Sequence, residues 1–138
     1  MSSKARRIWR KLPLLAETVV ALTAASLAIA ILPFRMLVRL MGRRVAGNRV
    51  PTGESVAEVR AAVLRVGPHL PWRVVCFQKG LAAHWMLRLR GFPSRLHYGL
   101  GLLDKDLSAH VWVTLGDEVV IGEETMAAHT CLAVFPAE

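Results

Sequence analysis

Along these 138 residues the spacing of hydrophobic and polar positions changes several times, and each change marks an element. From Leu12 to Leu32 apolar residues follow almost without interruption. Leu15, Val19, Leu22 and Ile29 share one helical face and Val20, Leu27 and Ile31 another, with alanines between them. A helix with no broad polar face needs cover on most of its sides. After Pro33 the pattern becomes amphipathic: Arg35, Arg39 and Arg43 recur every fourth residue, with Leu37, Val38, Leu40 and Met41 away from them and Gly42 near the expected end. The stretch from Gly47 to Gly53, with Asn48, Pro51 and Thr52, is a loop by composition. It divides the chain into a two-helix extension, residues 1–50, and a domain, residues 51–138.

Within that domain Ser55-Val-Ala-Glu58 has the form of a capping box, and Val56, Val59, Val63 and Val66 follow at helical spacing until Gly67-Pro68. Pro71 to Val75 leads extended into Cys76. Phe77 to Arg90 then reads as a helix stopped by Gly91, with Leu81, Trp85 and Leu89 recurring every fourth residue. Alternation takes over afterwards. Arg95–Leu103, Ala109–Leu115 and Glu118–Gly122 read as strands, the second and third joined by the two-residue connection Gly116-Asp117, and a further strand is expected near 130–135. Helices followed by antiparallel strands predict an α+β domain.

Charge changes the picture once it is divided by position. The net charge of +8 looks like a nucleic-acid signature, yet residues 1–50 carry ten basic residues against Glu17 alone, while residues 51–138 carry eight basic and nine acidic ones. The extension is therefore +9 and the domain −1. Trp9 is the only ring among the early basic residues and no binding motif accompanies them, so nucleic acid is not the expected partner. With 54% hydrophobic and 20% charged residues the chain is no disordered polyelectrolyte. The apolar stretch ends at Pro33-Phe34-Arg35 without a small-residue cleavage site, so cleavage is not expected. The 17 uncharged residues between Glu17 and Arg35 make about 25 Å of helix, short of a hydrocarbon core of about 30 Å. Five basic residues on each flank give no orientation. The length is borderline for spanning, so a single-pass helix stays open for residues 12–32, beside three readings of residues 1–45: peripheral docking on anionic lipid, docking on a partner protein, or a solvated arginine face over an apolar face packed on the domain.

Candidate chemistry centres on Cys76, at a helix N-terminus whose partial positive charge favours a thiolate, the nucleophilic form. The competing reading is a buried structural cysteine. Pairing Leu115 with Glu118 across Gly116-Asp117 sets Val113 against Val120, Trp112 against Ile121 and His110 against Glu123. Cross-strand neighbours have Cβ atoms about 5 Å apart, so a carboxylate at Glu123 could fix the His110 tautomer. A register slip or bulge would exchange Glu123 for Glu124. Asp117 sits at the hairpin tip, roughly 20 Å away at about 3.3 Å per residue. Cys76, His110 and an acid make a Cys–His–acid arrangement for acyl transfer. His69, His84, His97 and His129 have no partner that the sequence places, and Cys131 reads as core. The two cysteines make no disulfide framework, and reduced thiols in a cytoplasm are expected. No cofactor is expected: there is no glycine-rich phosphate loop, and the cysteines and histidines lack metal-ligand spacing.

The stretch LPWRVVCFQKGLAAHWMLRLRGFPSRLHYGLG, followed by AHVWVTLGDEVVIGEE, resembles the transglutaminase-like cysteine peptidases of lasso-peptide biosynthesis, over about residues 52–124. The marks are Pro-Trp-Arg before Cys76, the helix ending in Leu-Arg-Gly-Phe-Pro-Ser-Arg-Leu, and Ala-His-x-Trp-Val at 109–113. The resemblance implies a papain-like, transglutaminase-like core that removes the leader from a ribosomally made precursor, with Cys76 as nucleophile, His110 as base then acid, and the acid at Glu123. Asp is usual at the acid position, and Glu reaches one methylene further. Some members carry a leader-recognition domain; the first 50 residues here are too short and too apolar for one, so a separate recognition protein is expected to deliver the precursor. The resemblance further implies an ATP-dependent cyclase as partner; the cysteine usage points to a cytoplasmic location, and the apolar, basic pattern of residues 1–45 to a peripheral membrane contact. The alternatives are a non-catalytic scaffold of the same fold that presents the precursor to the cyclase, and a membrane-tethered binding module.

Overall fold

The computed structural model describes residues 3–41, 52–103, 106–122 and 129–135. Two helices come first, α1 (Ser3–Ile31) and α2 (Phe34–Met41). Pro33 separates them, and its carbonyl accepts from the amides of Met36 and Leu37 at 2.9 and 3.2 Å, which starts the second helix. The next helix, α3 (Gly53–Val66), is capped by Thr52 and not by Ser55. Thr52 has the extended backbone a cap requires, and its hydroxyl accepts from the Ser55 amide at 3.3 Å, so Ser55 lies inside the first turn. After a short 3₁₀ turn at Gly67–His69 comes α4 (Cys76–Leu89). It ends as its sequence predicts: Gly91 takes a φ of +80°, and the Phe92 amide reaches back to the Leu87 carbonyl at 3.1 Å.

Four strands follow, β1 (Arg95–Leu103), β2 (Asp106–Leu115), β3 (Glu118–Ile121) and β4 (His129–Phe135), in an antiparallel sheet of order β3-β2-β1-β4. The fold is α+β. Leu115 pairs with Glu118 and Thr114 with Val119, as the Gly116-Asp117 connection requires, but Val113 pairs with Ile121. Val120 is the extra residue of a bulge, and Arg60 on α3 donates its Nε to the Val120 carbonyl at 3.1 Å. The unbroken pairing that set Val113 against Val120 and Trp112 against Ile121 is thereby corrected, while the expected pairing of His110 with Glu123 lies outside the described residues. Gly122, just past β3, has a φ of +89°, and a Cβ there would lie 2.8 Å from the Val111 carbonyl oxygen, so only glycine fits.

Burial explains the layering. Val56, Val59, Val63 and Val66 of α3 are all buried, as their spacing predicts. On α4 the buried set is Gly80, Leu81, Ala82, Ala83, His84, Met86 and Leu87, which covers most of the circumference. Leu89, expected to continue the stripe of Leu81 and Trp85, is 79% exposed, because each fourth residue drifts further round the helix and Leu89 falls outside the buried arc. α4 packs against β2, α1 and α3. From α1, Thr18, Leu22, Ala25 and Ala28 are buried. Two polar ties fix its register: a two-pronged ion pair from Arg90 to Glu17 at 2.7 and 2.8 Å, and a 2.9 Å bond from the Trp72 indole N–H to the Ser26 hydroxyl. A buried polar link joins α4 to the start of β1, where Ser94 Oγ meets His84 Nδ1 at 2.9 Å and the Arg88 guanidinium donates to the Ser94 carbonyl.

The closest helix-to-sheet approach is at Gly80, where a Cβ would lie 2.7 Å from Cγ1 of Val111. Overpacking costs about 1–3 kcal/mol, against about 1 kcal/mol that alanine gains over glycine within a helix. Gly80→Ala is therefore expected to lower the unfolding free energy by about 1 kcal/mol in a denaturant titration, and adding Val111→Ala should restore most of it. A single variant as stable as the wild type would show that the helix has room there.

Candidate active site

Cys76 is the first residue of α4, half-buried, with extended Val75 as the cap. No side chain of Val75 can satisfy the first-turn amides, so the orphan N–H groups of the helix start surround the thiol's backbone. The approach to Cys76 is clamped by Gln78. Its Oε1 accepts from the Val75 amide at 2.7 Å and its Nε2 donates to the Arg73 carbonyl at 3.2 Å, which ties the preceding segment to the helix. Phe77 meets the Tyr98 ring of β1 edge-on, with centroids 6.5 Å apart.

His110 lies on β2, half-buried, with Gly99 as its partner on β1. Its chain neighbour Val111 packs on Gly80, one helical turn beyond Cys76. The structure thus brings the Cys76 turn and the His110 strand into one packed unit. Val111 and Val113 face α4, so pleat alternation puts His110 with Trp112 and Thr114 on the sheet face turned away from that helix, and what the packing joins is the Cys76 helix and the His110 strand. On that side the His97 imidazole stacks on Trp112, with centroids 5.5 Å apart and planes 8° from parallel, while its Nε2 lies 2.7 Å from Thr114 Oγ1. Gly99 makes room for the indole: a Cβ there would lie 2.8 Å from two ring carbons of Trp112 and 2.9 Å from the Thr130 carbonyl oxygen. Glu123 and Glu124, between which the sequence leaves the acid open, lie outside the described residues.

Two residues of this region escaped the sequence reading. Gln78 carried a signal, since Gln at the third helical position commonly reaches back to the cap. His97 carried none, because its partners come from β2 through a cross-strand register. Cys131 is exposed on the edge strand β4, not core, with its Sγ 3.8 Å from His97 Nδ1. Among the described residues no group of three or more His, Cys, Asp or Glu is placed to hold a metal ion.

The profile of the transglutaminase-like superfamily matches residues 19–133, from within α1 to β4. The chain belongs to that superfamily. Its members commonly include cysteine-dependent enzymes, and cysteine peptidases are among them. No curated protein and no solved structure gives a significant match. The match begins at residue 19, so the C-terminal part of α1, residues 19–31, falls within the shared region, in keeping with its packing on α4.

Burial, and secondarily the charge of Arg95, lowers the His97 pKa from its ordinary 6.5. The unfolded chain then binds the proton more readily than the folded one, so stability is full above the ordinary imidazole range and is lost as the pH falls below it. The unfolding free energy of the wild type relative to His97→Gln should therefore shrink as the pH drops through 6.5. A pH-independent difference would contradict this.

Proposed function

We propose that this chain is a cysteine peptidase that removes the leader from a ribosomally made lasso-peptide precursor. One observation carries the reading: in a chain of the transglutaminase-like superfamily, Cys76 opens a helix that packs against the strand bearing His110. The Pro-Trp-Arg segment before Cys76 and the Ala-His-x-Trp-Val run support the narrower substrate class by resemblance.

In this mechanism the Cys76 thiolate attacks the carbonyl carbon of the last leader residue, and the oxyanion forms beside the first-turn amides of α4. In this reading the His110 imidazole turns from the Trp112 side toward the helix start, takes the thiol proton and delivers it to the departing amine. The core peptide leaves with a free α-amino group, the nucleophile that a macrolactam closure needs. Water, deprotonated by His110, then hydrolyses the thioester and releases the leader as a carboxylate. Glu123, the acid position by resemblance, is assigned to hold the imidazole, and the one-residue shift at Val120 makes Glu124 the alternative. A separate protein that recognises the leader delivers the precursor, and an ATP-dependent cyclase consumes the product.

Incubating the chain with a candidate precursor and the recognition protein, and following leader release by mass spectrometry, tests the assignment. Cys76→Ala and His110→Ala are each expected to lower the rate by roughly four orders of magnitude or more, as loss of members of such a unit does. Undiminished cleavage by Cys76→Ala would overturn it. In the same assay Glu123→Ala should slow turnover far more than Glu124→Ala, and the opposite ranking would move the acid by one residue.

A further inference from the structure

The outward side of α1 has no cover in this chain. Its inner side, Thr18, Leu22, Ala25 and Ala28, is buried on the domain, yet Val20 is 67%, Leu27 54% and Ile31 71% exposed. Leu12, Ala16, Val19, Ala24 and Ala30 are exposed with them, which makes a ridge free of charge from Leu12 to Ile31. At about 1.5 Å per residue these 20 residues extend for about 30 Å. The one charged side chain along the ridge, Glu17, is turned aside into its ion pair with Arg90. Basic side chains stand at both ends: exposed Lys4 precedes the ridge, and Arg35 and Arg39 follow it, exposed on α2, whose Leu37 is buried.

Length and composition alone would let Leu12–Ile31 cross a bilayer. The polar ties of α1 work against that orientation. Glu17 is ion-paired to Arg90 and the Ser26 hydroxyl accepts from the Trp72 indole, so a perpendicular α1 would draw the Arg90 ion pair toward hydrocarbon with it. A helix lying in the interface plane has no such cost. It buries its apolar side at the boundary of headgroups and acyl chains while flanking cations meet anionic headgroups.

We propose that the outward face of α1, together with Arg35 and Arg39, seats this protein on an anionic phospholipid surface as a peripheral, non-spanning contact. The uncharged ridge supplies apolar insertion and the basic ends select the lipid. A partner protein's docking face would be expected to offer polar groups at the rim of the apolar strip; this strip is bounded by like charge at its two ends. The inference does not depend on the reaction proposed above.

The test is co-sedimentation of the full chain with phosphatidylcholine vesicles, with and without phosphatidylglycerol, and of the variants Val20→Glu/Leu27→Glu and Arg35→Glu/Arg39→Glu. All four positions are exposed, so circular dichroism and thermal unfolding should be unchanged. Wild type is expected to sediment with phosphatidylglycerol-containing vesicles and to be released by high salt, as screening requires. Each double variant should bind about tenfold or more weakly, since placing a leucine-sized side chain in an apolar phase exceeds the tenfold equivalent of 1.4 kcal/mol. Failure of the folded wild type to bind phosphatidylglycerol vesicles would overturn the proposal. So would unimpaired lipid binding by both variants, or loss by Val20→Glu/Leu27→Glu of capture by the recognition protein with lipid binding intact, which would assign the ridge to a protein partner. Leader cleavage measured without vesicles should be unchanged in both variants, which separates this result from the fate of the peptidase reading.

Discussion

Everything in this molecule is arranged around the simultaneous burial of α4 by the sheet and by α1. A helix covered by both must be narrow where the sheet comes closest, and Gly80, Ala82 and Ala83 make it so. The contact of Gly80 with Val111 and Val113 fixes the height of the helix over β2, and therefore the height of Cys76, one turn earlier, relative to His110, one residue along the strand. Fully burying a Val or Leu side chain contributes about 1.5–3 kcal/mol. Leu81, Met86 and Leu87, all at 0% exposure, make this layer the strongest determinant of the fold.

That arrangement explains why a short chain needs its N-terminal helix. The sheet and α3 cover only part of α4, and Leu22 and Ala25 complete the enclosure from above. Apolar contact alone would let α1 slide along its axis. The Glu17–Arg90 pair and the Ser26–Trp72 bond give that contact a register. Both polar side chains are about a third exposed in the ion pair, so its value lies in position more than in stability. The covering helix also presents a second apolar side outward, and among the described residues the basic Lys4, Arg35 and Arg39 are exposed near its ends.

Much of this was legible in the residues. The α3 stripe of Val56, Val59, Val63 and Val66, the glycine stop at Gly91, the strand at Arg95–Leu103 and the Gly116-Asp117 connection all depend on local periodicity or on a residue that must take a particular backbone angle. Where local rules failed, a distant residue had intervened. The bulge at Val120 is accommodated by Arg60, half the chain away, which satisfies the carbonyl that leaves the ladder. Leu89 fits the helical stripe by spacing and is exposed because it falls outside the buried arc of α4. Cys131 reads as core by type and lies on an edge strand.

The sequence by itself determined the elements and their order, and it set Cys76 at a helix start and His110 on a strand, because caps, breakers and apolar spacing act within a few residues. Only the tertiary structure decided which side of each element is covered: that α1 turns Leu22 inward and Leu27 outward, and that His97 rather than an aliphatic side chain stacks on Trp112. A helical face or a strand register is a choice among arrangements with similar local energies, and the choice falls to whichever one lets all the buried faces close together.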